Sequence, residues 1–381
     1  MTTALVLSGG GARGAYQVGV LKGVAELVPS GNPFPILCGT SAGAINTLGL
    51  AGRPGSFAAR VASLEKMWRG LTAEKIYRTD LAGVARNSWR LLRALAAGRE
   101  RPRKAVALLD NSPLRRLLAS YVSFREVDQS IASGYLSAVA ITAMSYSTGL
   151  STTFFQGEHP NWQRFRRRGV RTALTLDHLM ASAAIPTLFP PVRIGNRFYG
   201  DGALRQLKPL SPALHLGAER LFVIGVSDNP RHAPFNAYDP WPPTLAQMIG
   251  HMLNSAFIDA IEADLETLRS INQMAGVMRR AGIGATLPYR EIDVLAVSPS
   301  RPINELAEQH LRELPGTVRA FLRLVGAETP GGGTSSASYL LFEPGFLGEL
   351  IDLGYRDCLA QADEVRAFFA AAGEVPSARA H

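Results

Sequence analysis

Eleven residues constrain this chain more than any others: Ile36-Leu37-Cys38-Gly39-Thr40-Ser41-Ala42-Gly43-Ala44-Ile45-Asn46. A short apolar run enters Gly-Thr-Ser-Ala-Gly, and a small-residue segment able to form a helix leaves it. This is the strand, sharp turn and helix of a nucleophile elbow, G-x-S-x-G. Gly39 and Gly43 flank the serine because a Cβ at either place would collide with neighbouring backbone in so tight a turn. Thr40 and Ala42 complete the elbow. The turn exposes the Ser41 hydroxyl at a helix N-terminus, where unpaired amides and the helix dipole favour negative charge. The fold must therefore be of the α/β kind.

A second glycine-rich turn precedes the elbow. Ala4 to Leu7 reads as a short buried strand, Gly9-Gly10-Gly11-Ala12-Arg13-Gly14 follows, and Ala15 to about Val28 carries apolar residues at helical spacing. Such a loop lets backbone amides converge on an anion. Gly9, Gly11 and Gly14 also satisfy G-x-G-x-x-G, which raises a dinucleotide site. That site needs an acidic residue at the end of the second strand, and Gly39-Thr40-Ser41 stands there instead. The loop is better suited to stabilising an oxyanion formed when Ser41 attacks a carbonyl. On consecutive parallel strands, loop and elbow would open at the same sheet edge.

The rest of the chain reads as alternating helix and strand. Phe57 to Asn111 is mainly helical. Within it, Asn87 to Ala97 sets Arg86, Arg90 and Arg93 against Trp89, Leu91, Leu92 and Leu95, and the basic run Arg99 to Lys104 follows. Such a segment can pack on its own domain or lie on an anionic bilayer. Leu136 to Met144 and Leu150 to Phe155 read as strands. Arg164, Arg166, Arg167, Arg168 and Arg171 form the densest basic cluster, either a solvated helix end or a contact for a phosphate or lipid headgroup. Asp177 to Ala184 reads as a helix, ended by Ile185-Pro186 and Pro190-Pro191. Val192 to Ile194 and Arg197 to Tyr199 form a hairpin through Gly195-Asn196. Leu221 to Val226 and Ile292 to Val297 are strands. Residues 228–244 are a proline-rich loop, a lid or a passive excursion. Leu245 to Ala281, Glu305 to Val325 and Glu349 to Ala371 are helical, with Thr329 to Ser338 a flexible connector and Tyr339 to Phe342 docking back on the domain.

Composition excludes several classes. The formal charge is +9, from 40 basic against 31 acidic residues, which fits an anionic surface or substrate. No aromatic interleaving or zinc spacing accompanies it, so no nucleic acid partner is expected. Two distant cysteines, Cys38 and Cys358, make no disulfide framework. No metal-ligand constellation is visible and no cofactor is expected. The N-terminus reads as strand rather than signal peptide, and no stretch makes a good transmembrane helix. The expected location is the cytoplasm, with peripheral contact at the inner face of the membrane.

Directly after the hairpin stands Gly200-Asp201-Gly202-Ala203. Alone this is a turn. Beside a serine in need of a base, Asp201 becomes the candidate carboxylate. With Gly9–Gly14, Gly39–Gly43, Ala181-Ser182-Ala183-Ala184-Ile185-Pro186 and Asp201-Gly202-Ala203 in this order, the chain resembles the patatin-like phospholipases from about Ala4 to Ser227. The resemblance implies a three-layer α/β/α sandwich with a mainly parallel central sheet. It implies a Ser41–Asp201 dyad and an oxyanion hole from the loop Gly9, Gly10, Gly11, Ala12, Arg13 and Gly14. Ala203 replaces a second glycine found in many members. The expected activity is hydrolysis of a lipid or other ester through an acyl-serine. Two alternatives stand beside it: a Ser-His-Asp esterase drawing on His215, His232 or His251, and a membrane-associated scaffold that no longer turns over. Residues 1–227 are expected to form the catalytic core. Residues 228–381 would supply the remainder of the sheet and a helical extension packed on the same domain.

Overall fold

A computed structural model describes residues 1–29, 31–78, 80, 89, 107–226, 242, 244–282, 290–324 and 334–373. The basic segment 87–97 (apart from Trp89), the run 99–104, residues 228–241, His232 and the glycines 331–333 lie outside the described residues.

Among the described residues, ten strands form one mixed sheet: β1 (Thr3–Leu7), β2 (Ile36–Thr40), β3 (Ala138–Ser145), β4 (Ser151–Gly157), β5 (Trp162–Arg164), β6 (Arg167–Arg171), β7 (Val192–Ile194), β8 (Arg197–Asp201), β9 (Arg220–Ile224) and β10 (Asp293–Val297). The order is β10-β9-β1-β2-β3-β4-β6-β5, with β8 pairing the end of β3 and β7 pairing β8. The strands β10, β9, β1, β2 and β3 run parallel, with Val6 level with Cys38 and Val223. Strand β4 turns back antiparallel on β3, and β8 does the same at its far end.

Parallel strands buried on both faces read as continuous apolar runs, and β1, β2 and β9 are buried throughout. Alternation divides them between two cores. Leu5, Leu7 and Phe222 face one layer, which holds helix α1 (Gly14–Leu27), helix α2 (Ala42–Ala51) and the helices Phe57–Arg69 and Pro344–Ala360. Ala4, Val6 and Val223 face the other, covered by Ser211–His215 and Ala260–Arg280. This is a three-layer α/β/α sandwich. Helix Pro344–Ala360 crosses α1 at backbone contact. A Cβ on Gly19 would strike the Ile351 carbonyl, and one on Gly354 the Tyr16 carbonyl.

Several elements differ from expectation. The arginine cluster is no helix end: Arg164 closes β5 and Arg167 opens β6, so alternation across a hairpin spreads its side chains. Leu245 to Arg280 is helical as expected, in one continuous run with a π turn at Ser255–Asp259. The Glu305–Val325 helix is broken into Ile303–His310 and Gly316–Leu324, because Pro315 cannot donate within a helix. Of the expected connector, Thr334–Ser338 is helical.

Candidate active site

The carboxyl ends of β1, β2 and β3 bring the glycine loop, the elbow and Asp201 to one edge. Ser41 has φ 55° and ψ −121°, a strained conformation for a residue with a side chain, and it caps the N-terminus of α2. Surrounding structure over-determines it. A Cβ at Gly39 would run into the Gly43 carbonyl, and one at Gly43 into the carbonyls of Leu7 and Ser8. The Ser41 amide donates to the Ser182 hydroxyl at 3.0 Å, and that hydroxyl donates to the Thr142 carbonyl at 2.6 Å. Behind it, the Thr40 hydroxyl donates to Gln206 at 2.5 Å, and Gln206 reaches the Thr142 hydroxyl at 3.4 Å. Asn46, one turn into α2, donates to the Gly14 carbonyl and to Gln17 and accepts from the Trp68 indole at 2.6 Å. The elbow is fixed from three sides.

Asp201 ends β8 opposite Ala143 and is fully buried. Its amide donates to the Ala184 carbonyl, and its Oδ1 accepts from the Ala203 amide at 3.0 Å. Burial pushes its carboxyl up to about 7, while hydrogen bonding by the Ser41 side chain and the Ala203 amide pulls in the opposite direction. Its Oδ2 accepts no bond of good geometry among the described residues, so the Ser41 hydroxyl adjoins the carboxylate without being locked to it. No histidine among the described residues hydrogen-bonds either residue. His215 stacks on Trp162, and His251 lies on the exposed side of Leu245–Asn254.

The glycine loop lies against the elbow: a Cβ on Gly9 would come to 3.1 Å from that of Ser41. Gly10 and Gly11 have positive φ, and a Cβ on Gly11 would strike the Tyr339 carbonyl. The Ala12 amide donates to that same carbonyl at 3.0 Å, and the Arg13 amide to the Gly10 carbonyl at 3.1 Å. The Gly14 amide turns back onto Gly11 and Ala12 carbonyls. Among the described residues, the amides of Gly10 and Gly11 have no acceptor. The Arg13 side chain is buried and points away, donating to Ser338 at 2.9 Å and Asn304 at 2.8 Å, with its guanidinium over the Tyr339 ring.

From Ser41 a narrow apolar cleft runs into the helical layer. Ile45, Trp68, Leu118, Phe189, Tyr339 and Phe342 are among its walls. Sequence reasoning did not foresee three neighbours. Ser182 holds the elbow amide; it sits in the segment Ala181–Pro186 that the resemblance flagged without a role. Tyr339 shapes the loop, and only its apolar run signalled docking. Tyr146, whose ring lies over Gly200, is pushed up in pKa by burial and by the Asp201 charge.

These features meet a family. The model described as "Patatin-like phospholipase" matches residues 5–214, and the chain belongs to that family. It is 29% identical over 203 residues to a cGAMP-activated phospholipase of Pseudomonas aeruginosa, covering 52% of each chain. It is 27% identical over 223 residues to a cGAMP-activated phospholipase of Vibrio cholerae, covering 55% of this chain and 56% of that one. The matched stretch thus spans about half the length of these relatives. Among solved structures, human GIVD cytosolic phospholipase A2 aligns over 97% of this chain and 59% of its own at a TM-score of 0.42 and 11% identity. That likeness is too slight to argue from. No helix among the described residues is long and apolar enough to cross a membrane.

Proposed function

We propose that the protein is a lipid acyl hydrolase in which Ser41 is the nucleophile and Asp201 the base. The observation that carries this reading is the meeting of a strained elbow serine and a wholly buried carboxylate at the head of an apolar cleft. Asp201 takes the proton of the Ser41 hydroxyl as its oxygen attacks the ester carbonyl. The oxyanion is received by the amides of Gly10 and Gly11; those of Ala12, Arg13 and Gly14 are occupied within the protein. The leaving alcohol recovers the proton from Asp201 and departs, leaving an acyl-serine. Water, deprotonated by the same carboxylate, then releases the fatty acid. The cleft wall is apolar, matching a hydrocarbon tail in chemistry, and offers nothing to hold a charged one. A base near 7 suits neutral pH better than an ordinary carboxylate near 4.

The test is release of fatty acid from phospholipid and lysophospholipid, comparing the wild type with Ser41→Ala. The expected loss is at least about 10⁴-fold, as for other single nucleophiles. A fluorophosphonate probe should label the wild type and not the variant. Absence of label in the folded wild type would return the protein to the scaffold reading. Because both relatives are named cGAMP-activated, the assay is run with and without that dinucleotide. Turnover seen only with it would extend the relatives' activation to this chain.

A further inference from the structure

The carboxyl edge of the sheet carries more than the catalytic residues. Arg167 at the start of β6 is level with Ser151 and, through β4, with Met144 near the end of β3. The β5–β6 turn, Phe165-Arg166, therefore projects past the edge at which Ser41 and Asp201 lie. Phe165 is 79% exposed, flanked by exposed Arg164 and by Arg166, whose guanidinium lies 5.1 Å from its ring centre. The β7–β8 hairpin overruns the same edge, since Tyr199 is already level with Ser145, the last residue of β3. Beyond it stand exposed Arg193, Arg197 and Phe198. Across the catalytic residues lies Leu245–Asn254, joined to the site by the Tyr339 hydroxyl on Asn254 at 2.8 Å and by Phe257 against Gly9. It presents Met248, Ile249 and Met252 outward, the last 69% exposed.

We propose that this edge is a docking face for an anionic lipid bilayer, with Phe165 and the Met248–Met252 face entering the interface and arginines around them holding headgroups. The proposal takes its lipid from the hydrolase reading; the surface itself stands on three observations. First, five of the large apolar side chains left exposed among the described residues, Phe165, Phe198, Met248, Ile249 and Met252, stand on the elements around this edge. Second, Phe165 and Phe198 stand beside Arg164, Arg166 and Arg197, whose stems can lie along apolar surface while the charge meets phosphate. Third, the charge is one-sided. Between residues 130 and 208 the acids are Glu158, Asp177 and Asp201. Glu158 is paired with Arg171, Asp177 with Arg115, and Asp201 is buried. Nothing on these hairpins would repel an anionic surface. A membrane seated here would deliver an acyl chain directly to the cleft beside Ser41.

The experiment is co-sedimentation with vesicles of phosphatidylcholine alone or mixed with phosphatidylglycerol, at low and high salt. Wild type should bind the mixed vesicles, less so in high salt. Arg164→Gln with Arg166→Gln should weaken binding about 25-fold, at about fivefold per arginine lost near an anionic surface. Phe165→Ser and Met252→Asp should each weaken it about tenfold or more, the scale of one buried apolar side chain. All these positions are exposed, so melting temperature and hydrolysis of a monomeric short-chain ester should stay at wild-type level. Equal binding to both vesicle types, or variants that bind like wild type, would overturn the docking face. Vesicle binding by a protein that hydrolyses no ester would leave the docking face standing and the hydrolase reading fallen.

Discussion

Asp201 is the residue whose environment says most. A carboxylate wholly removed from water, with one amide bonded to it and the Ser41 hydroxyl beside it, prefers its proton, which is why its pKa climbs to about 7. Two consequences follow in opposite directions. If it is the base, kcat/KM rises with pH up to about 7 and levels above it; a plateau already complete near pH 5 would remove Asp201 from that role. For stability, the folded state holds the proton more tightly than the unfolded state. Stability contributed by protonated Asp201 is therefore complete below about pH 4 and is lost as pH climbs through 7. The loss is roughly 4 kcal/mol at most. Asp201→Asn should thus be inactive yet stabilised, with a gain that grows between pH 4 and 7 in denaturant titrations.

At the scale of elements, the elbow depends on α2 being seated against α1. Asn46 makes that seat, since its amide satisfies Gly14 and Gln17 and its carbonyl satisfies the Trp68 indole. Asn46→Ala leaves several buried polar groups unpaired, at about 1–3 kcal/mol for each. The expected loss is about 3–5 kcal/mol in urea unfolding, and a loss below 1 kcal/mol would show the network to be dispensable. Legibility follows the same scale. The loop and the elbow are local turns whose glycines encode their own geometry, so Gly9–Gly14 and Gly39–Gly43 were readable as they stand. Asp201 stood out only as a carboxylate that Ser41 would need and through the resemblance, because a turn aspartate looks the same wherever it ends up. Ser182, Tyr339 and Phe257 reach the site through tertiary packing, and nothing in their own neighbourhoods marks that destination. The β5–β6 hairpin was misread because five arginines mask the alternation that betrays a strand.

Across the whole molecule, residues beyond the family match are interlocked with it. Strand β10 extends the same sheet beside β9, Pro344–Ala360 lies on α1 at backbone contact, and Asp357 receives the Tyr16 hydroxyl and Ser300. A chain ended after residue 227 would bare the faces of α1 and β9 that these elements cover. It should be insoluble or lack cooperative unfolding by circular dichroism; a soluble, cooperatively folding fragment would make 1–227 a domain in its own right.

The carbonyl of Tyr339 has a further meaning when the chain is considered as something synthesised in time. The glycine loop is made long before its anchors: the acceptor that fixes the Ala12 amide and the Ser338 partner of the Arg13 guanidinium arrive more than three hundred residues later. On a ribosome adding about 5–20 residues each second, that delay is tens of seconds. Throughout it the glycine loop lacks its anchor. The loop therefore takes its fixed shape only once Tyr339 has been made, long after its own residues have left the ribosome.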